Sequence, residues 1–120
     1  MSTILVVDDA QTDRELMALV VKAAGHHVLV AGDGREAVAL AKQHRPSLIF
    51  LDVVMPVMDG FAACRQLTRD PDTSTIPIVL VTSKSNESDQ FWGRKQGASE
   101  HVAKPWDPRR IEDLIRRYCL

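Results

Sequence analysis

The chain has 120 residues, 45% of them hydrophobic and 26% charged, which predicts one ordinary globular domain over residues 1–120. Fifteen basic residues against sixteen acidic ones leave a net charge of −1, so composition gives no electrostatic basis for binding nucleic acid. No apolar run approaches the roughly 20 residues of a membrane helix. The N-terminus leads into a strand rather than a signal peptide, and Cys64 and Cys119 lack CxxC spacing, so the expectation is a cytoplasmic protein with reduced thiols.

Thr3 to Val7 is a short apolar run ending in Asp8-Asp9 and predicts a buried strand capped by two acids. Leu16, Leu19, Val20 and Ala23 recur at i, i+3, i+4, i+7 and predict the apolar face of a first helix, with Gly25 as its C-cap. Val28 to Ala31 predicts a second strand, stopped by Gly32-Asp33-Gly34. Ala37, Leu40, Ala41 and His44 mark a second helix that ends before Pro46. Ser47 to Leu51 predicts a third strand, in which Leu48-Ile49-Phe50-Leu51 run straight into Asp52; such a run reads as buried on both faces. Met55-Pro56 and Asp59-Gly60 then turn the chain into a third helix marked by Phe61, Cys64 and Leu67.

A loop over Pro71 to Thr75 leads to a fourth apolar strand, Ile76 to Val81, which ends at Thr82-Ser83-Lys84. Ser85 or Asn86 caps a fourth helix that contains Gly93 and closes at Gly97. Glu100 to Ala103 predicts a fifth strand ending at Lys104-Pro105. Asp107-Pro108 supplies an N-cap and first turn for the last helix, whose stripe is Ile111, Leu114, Ile115 and Tyr118.

Five βα units in strict alternation imply an α/β fold: a parallel sheet with helices on both faces, because parallel strands need right-handed crossovers. Asp8 and Asp9, Asp52, Thr82 and Lys104 then each occupy the C-terminal tip of a different strand, where open α/β sheets bind ligands. Two carboxylates about 4 Å apart repel by about 4 kcal/mol at an effective dielectric near 20, so three acids need a cation or protons. Oxygen ligands with room for water favour Mg²⁺ over Ca²⁺. A metal, the Lys104 ammonium and the Thr82 hydroxyl together suit the anionic oxygens of a transferring phosphoryl group, with Asp52 as the covalent acceptor.

Asp8-Asp9, Asp52 followed by Met-Pro and Asp-Gly, Val81-Thr82 and Lys104-Pro105 together resemble the CheY-like receiver domain of two-component response regulators, over essentially the whole chain. The resemblance implies a flavodoxin-like (βα)5 doubly wound sheet of strand order 2-1-3-4-5, an order taken from the family rather than read from the residues. It implies that Asp52 accepts a phosphoryl group from a histidine kinase or phosphotransfer protein. It implies that Asp9, Asp52 and the Val54 backbone carbonyl bind Mg²⁺, with Asp8 acting mostly through water. Lys104 would pair with the phosphoryl group, Thr82 would move to bond it, and Lys104-Pro105 would be cis. The chain would then be no enzyme beyond its own phosphorylation and dephosphorylation.

Its readout surface would be the fourth helix, fifth strand and fifth helix, with Trp92, His101 and Arg109, offered to a downstream protein partner rather than to nucleic acid or membrane. The chain would be a monomer or weak dimer. Ending at Leu120, it implies no output domain. Gln90-Phe91-Trp92-Gly93 and Lys95-Gln96-Gly97-Ala98 are similar to chemotaxis-type receivers of type IV pilus twitching-motility systems.

Several residues qualify this picture. His101 stands where receivers usually carry Tyr or Phe three positions before the Lys, so a pH-sensitive switch and an inert exposed ring are both open. Val54 offers no side chain to position water, which predicts slow autodephosphorylation, and Lys84 is a second lifetime-tuning position or surface filler. Phe91 and Trp92 lie about 100° apart on a helix, which predicts one in the core and one partly exposed. Arg109–Asp113, Glu112–Arg116 and Asp113–Arg117 are spaced for i,i+4 ion pairs. Trp106 replaces the commoner Phe and could report on the site. Two rivals remain: a haloacid-dehalogenase-type phosphatase, which would need Asp-x-Asp where this chain has Asp8-Asp9-Ala10, and a pseudo-receiver that never takes phosphate. A phosphate sink for a kinase is a variant of the main reading.

Overall fold

A computed structural model describes residues 1–83 and 85–119; Lys84, with the lifetime-tuning role considered for it, lies outside the described residues. In chain order the elements are β1 (Thr3–Val7), α1 (Gln11–Ala23), β2 (His27–Ala31), α2 (Gly34–His44), β3 (Leu48–Leu51), α3 (Gly60–Arg69), β4 (Ile78–Thr82), α4 (Glu87–Lys95), β5 (Glu100–Ala103) and α5 (Pro108–Tyr118). The strands form one parallel sheet in the order β2-β1-β3-β4-β5, the flavodoxin-like order that the resemblance implies.

Alternate strand residues feed two cores, one on each face of the sheet. Leu5, Val7, Ile49, Leu51 and Leu80 pack with Ala37, Ala41, Cys64 and Leu67 of α2 and α3. Ile4, Val6, Leu48, Phe50, Val79 and Val81 pack with Met17, Val21, Ile111, Leu114 and Ile115 of α1 and α5. Helix starts follow the capping chemistry: the Asp33, Asp59 and Asn86 side chains accept the N–H of the residue three positions on, at 2.8 Å each, and Asp107 accepts from Arg109. Of the two candidate caps for α4, Asn86 takes the role, and Ser85 instead offers its carbonyl to Gln90 Nε2 at 2.7 Å. Cys64 and Cys119 are free and buried. No helix among the described residues is long and apolar enough to cross a membrane.

The α1 face differs from the expected one. Leu16, Leu19 and Ala23 are exposed, and Met17, Ala18 and Val21 are buried, with Val20 between. The apolar residues Leu16, Met17, Ala18, Leu19, Val20, Val21 and Ala23 fit two overlapping stripes. Polar contacts in the first turn settle the phase: Arg14 donates to the Asp8 carbonyl at 3.0 Å and Lys104 donates to Asp13 at 3.2 Å, which turns positions 13, 17 and 21 inward. In α2, His44 is exposed and Val38 takes the buried place.

Phe91 and Trp92 are both exposed, at 55% and 47%, so neither is the core residue expected of the pair. The reason is Gly93, the buried residue of α4: its backbone lies so close to the sheet that a Cβ there would be 2.8 Å from Leu80 Cδ1. On α5 the arginines reach other acids than the i,i+4 ones. Arg110 and Arg117 both reach Glu100 at the sheet edge, Arg109 pairs with Asp107, and Arg116 pairs with Asp113.

Candidate functional site

Strand register brings the tips together. Val7 of β1 lies opposite Leu51 of β3, and Thr82 of β4 opposite Ala103 of β5. The ladder runs one residue further at each tip: Asp8 N–H donates to Ala31 O at 3.1 Å, Asp52 N–H to Val7 O at 3.0 Å, and Lys104 N–H to Thr82 O at 3.1 Å. The residues that carry side-chain chemistry are therefore held by the sheet itself, a rigid platform for a site.

Asp8, Asp9 and Asp52 each offer a carboxylate oxygen, all within 4.8 Å of one another. Asp8 and Asp52 are buried and Asp9 is exposed. The Oδ1 atoms of the two buried acids are held by the backbone: Asp8 accepts from Ala10 N–H at 3.0 Å and Asp52 from Val53 N–H at 2.8 Å. Their Oδ2 atoms face Lys104, whose Nζ is 2.7 Å from Asp8 and 3.5 Å from Asp52. Burial pushes the Asp52 carboxyl up to about 6; the Lys104 charge opposes this and the Asp8 charge adds to it. For Lys104 burial works against the ammonium, but the bond to Asp8, the charges of Asp52 and Asp8 and the bond to Asp13 outweigh it and hold the group above its ordinary value.

Thr82 is fully buried at the end of β4. Val54 is exposed two positions beyond Asp52. The loop between them and α3 is tightly drawn. Gly60 N–H donates to Val53 O at 2.8 Å, and a Cβ at Gly60 would lie 2.0 Å from the Asp52 carbonyl oxygen. Val57 adopts φ 70°, and Met58 N–H closes a three-residue turn onto Pro56 O at 2.7 Å. The Lys104-Pro105 bond is cis. Trp106 is partly buried beside Asp8 and Asp13 around a cavity of about 10 Å³.

The surface residues lie elsewhere. Trp92 is exposed on α4 and Arg109 pairs with Asp107 at 3.0 Å, so neither joins the acidic cluster. His101 is partly buried on β5, its Nδ1 3.5 Å from where a Gly93 Cβ would be, so the ring is tucked under α4 rather than held out in water. Sequence reasoning missed Asp13, a third carboxylate on Lys104 at 3.2 Å. The available signal was position: an acid in the first turn of the helix that starts directly after the Asp8-Asp9 tip overhangs that tip.

This set of groups can hold a hard divalent cation between three carboxylates and keep one fixed ammonium beside it. The donors are all oxygens, and Asp52 sits in surroundings that resist a net negative charge, so a small dication fits the cluster.

Comparison with known proteins agrees with the geometry. The family model described as "Response regulator receiver domain" matches residues 4–116. The chain is 45% identical over 115 residues to protein PilH of Pseudomonas aeruginosa, covering 96% of this chain and 95% of PilH. It spans only 43–46% of the length of three probable transcriptional regulators that it matches at 34–36% identity. Among solved structures it is similar to the chemotaxis protein CheY4 of Vibrio cholerae, with a TM-score of 0.92, 31% identity and 98% of each chain covered. It is also similar to the receiver domain of the sensor histidine kinase PA1611 of Pseudomonas aeruginosa, with a TM-score of 0.90, 25% identity and 98% of this chain and 96% of that one covered. That structure has a magnesium ion coordinated in its active site cleft.

Proposed function

The chain belongs to the response regulator receiver family, and from that premise we propose that it is a switch driven by phosphorylation of Asp52. The observation that carries the reading is the meeting of Asp8, Asp9 and Asp52 within 4.8 Å with Lys104 bonded to Asp8 and facing Asp52. Asp9, Asp52 and the Val54 carbonyl would hold Mg²⁺, with Asp8 reached through water. The ion would supply charge neutralisation for the phosphoryl oxygens.

The donor is a phosphohistidine of a kinase or phosphotransfer protein. A carboxylate oxygen of Asp52 bonds to phosphorus as the P–N bond breaks, and the imidazole leaves with the electron pair. Lys104 neutralises the new charge, and Thr82, at the neighbouring strand tip, donates its hydroxyl to a phosphoryl oxygen. The signal leaves through α4, β5 and α5, where Phe91 and Trp92 stand exposed as anchors for a downstream protein. The resemblance at Gln90–Gly93 and Lys95–Ala98 supports a place in chemotaxis-like or twitching-motility signalling.

The test is incubation with a small-molecule phosphodonor and Mg²⁺, read by intact mass. Wild type should gain one phosphoryl group and Asp52→Asn none. Equal labelling of the two would overturn the assignment of Asp52, and no labelling or Mg²⁺ binding by wild type would favour a pseudo-receiver.

A further inference from the structure

We infer that Asp13 is a positioning residue, which holds Lys104 in its resting place and releases it when Asp52 carries a phosphoryl group. The inference rests on the receiver reading above and extends it to a residue outside the strand tips.

An ammonium has three N–H donors. Lys104 Nζ faces three carboxylates, Asp8 at 2.7 Å, Asp13 at 3.2 Å and Asp52 at 3.5 Å, so each donor has an acid in front of it. A phosphoryl group on Asp52 brings three new anionic oxygens to the same ammonium. Those oxygens compete with Asp8 and Asp13, the two acids bonded to the ammonium. Asp52 itself carries the group. The Asp8 side chain is 9% exposed, and releasing it would leave a buried carboxylate without its closest cation. The Asp13 side chain is 48% exposed, so water can take the place of Lys104 around it. Asp13 is thus the partner least costly to release.

Lys104 is not the only group that places Asp13. Asp13 sits in the first turn of α1, which Arg14 pins to the Asp8 carbonyl at 3.0 Å. An acid in that turn also suits the helix dipole. A purely structural acid would loosen the fold when neutralised and weaken every ligand of the site alike. A holder of Lys104 gives a different signature. Without Asp13 the ammonium leans fully on Asp8 and Asp52 and the site carries one negative charge fewer, so Mg²⁺ binds more weakly. Lys104 no longer has to leave a competing carboxylate, so a phosphoryl analogue binds more tightly.

The experiment titrates metal-free protein with Mg²⁺, then with fluoroberyllate at saturating Mg²⁺, following tryptophan fluorescence for wild type, Asp13→Asn and Asp13→Glu. For Asp13→Asn we expect a Mg²⁺ Kd about threefold higher and a fluoroberyllate Kd about threefold lower, the scale of one half-exposed unit charge in a water-like dielectric. Asp13→Glu keeps the carboxylate and should stay near wild type. Asp13→Ser repeats the charge removal if the Asn variant fails to fold. Changes of the same sign for both ligands, or no change in either, overturn the proposal while the receiver reading stands. A wild type that binds Mg²⁺ but not fluoroberyllate overturns the receiver reading first and the role of Asp13 with it.

Discussion

Replacing Asp52 with Asn should make the metal-free protein more stable at neutral pH. The carboxyl is pushed from 3.8 up to about 6, first by burial, so the folded protein binds the Asp52 proton more tightly than the unfolded chain does. A raised carboxyl pKa contributes stability that is complete below the ordinary value and is lost as pH rises through the folded one. The rise from 3.8 to about 6, at 1.36 kcal/mol per pH unit, sets a loss of at most about 3 kcal/mol between roughly pH 4 and pH 7. Asn keeps an oxygen for the Val53 N–H and carries no charge, so it escapes that loss.

With an unfolding entropy of about 2.1 cal/mol/K per residue, 120 residues give roughly 4 °C per kcal/mol, and the gain in Tm reaches up to about 12 °C. Thermal melts in chelator at about pH 7.5 should rank Asp52→Asn above wild type, and the gap should close near pH 4. Saturating Mg²⁺ should raise wild type towards the variant, because an ion that binds only the folded state stabilises it. A variant no more stable than wild type at pH 7.5, or a gap unchanged at pH 4, would refute the reasoning that burial and repulsion at this cluster demand a cation.

Gly60→Ala places a Cβ 2.0 Å from the Asp52 carbonyl oxygen and 2.8 Å from its carbon, atoms that cannot swing aside, so a loss of about 3 kcal/mol or more is expected together with weakened Mg²⁺ binding; a variant that melts with wild type would contradict the close approach. Val57→Gly removes a β-branched residue from φ 70° at an exposed position, and melts should rise by about 2–4 °C, the balance of relieved backbone strain and the extra chain entropy of glycine. Because the exposed Val54 side chain presents no polar atom at the site rim, the aspartyl phosphate should decay slowly, and Val54→Asn should shorten its life in a radiolabel chase; a wild-type half-life of seconds would count against this.

The tips of the strands were legible because the chemistry there is unusual for its setting. The acids and the Thr follow apolar runs, the Lys closes the short fifth strand Glu100–Ala103, and a parallel sheet has only one edge to which such ends can go. The β5 bounds came out as expected, and β4 began two residues later than the apolar run, at Ile78, after Pro77, which lacks the N–H of a ladder residue. The strand order was not in the residues: alternation gives parallel neighbours and says nothing of their sequence across the sheet, so it came from the family likeness.

What escaped the sequence was decided by neighbours that periodicity cannot see. In α1 two stripes of similar apolar content compete, and the winner is chosen by Asp13 and Arg14, whose partners Lys104 and Asp8 lie on other elements. On α5 a helix-only rule pairs Arg117 with Asp113, but Glu100 of β5 stands 3.1 Å from Arg117 and 3.3 Å from Arg110 and also accepts from Tyr118. Exposed i,i+4 pairs are worth only a few tenths of a kcal/mol, so any acid fixed on a strand nearby outcompetes them. The same weakness explains Phe91 and Trp92. Helical geometry allows one of two neighbours inward, but Gly93 brings the α4 backbone within a Cβ's reach of Leu80, and the sheet fills the space either ring would have needed. A polar or glycine contact that sets a helix against its sheet therefore fixes which apolar residues are core, and in this chain one of those contacts in α1, that of Asp13, is made to Lys104.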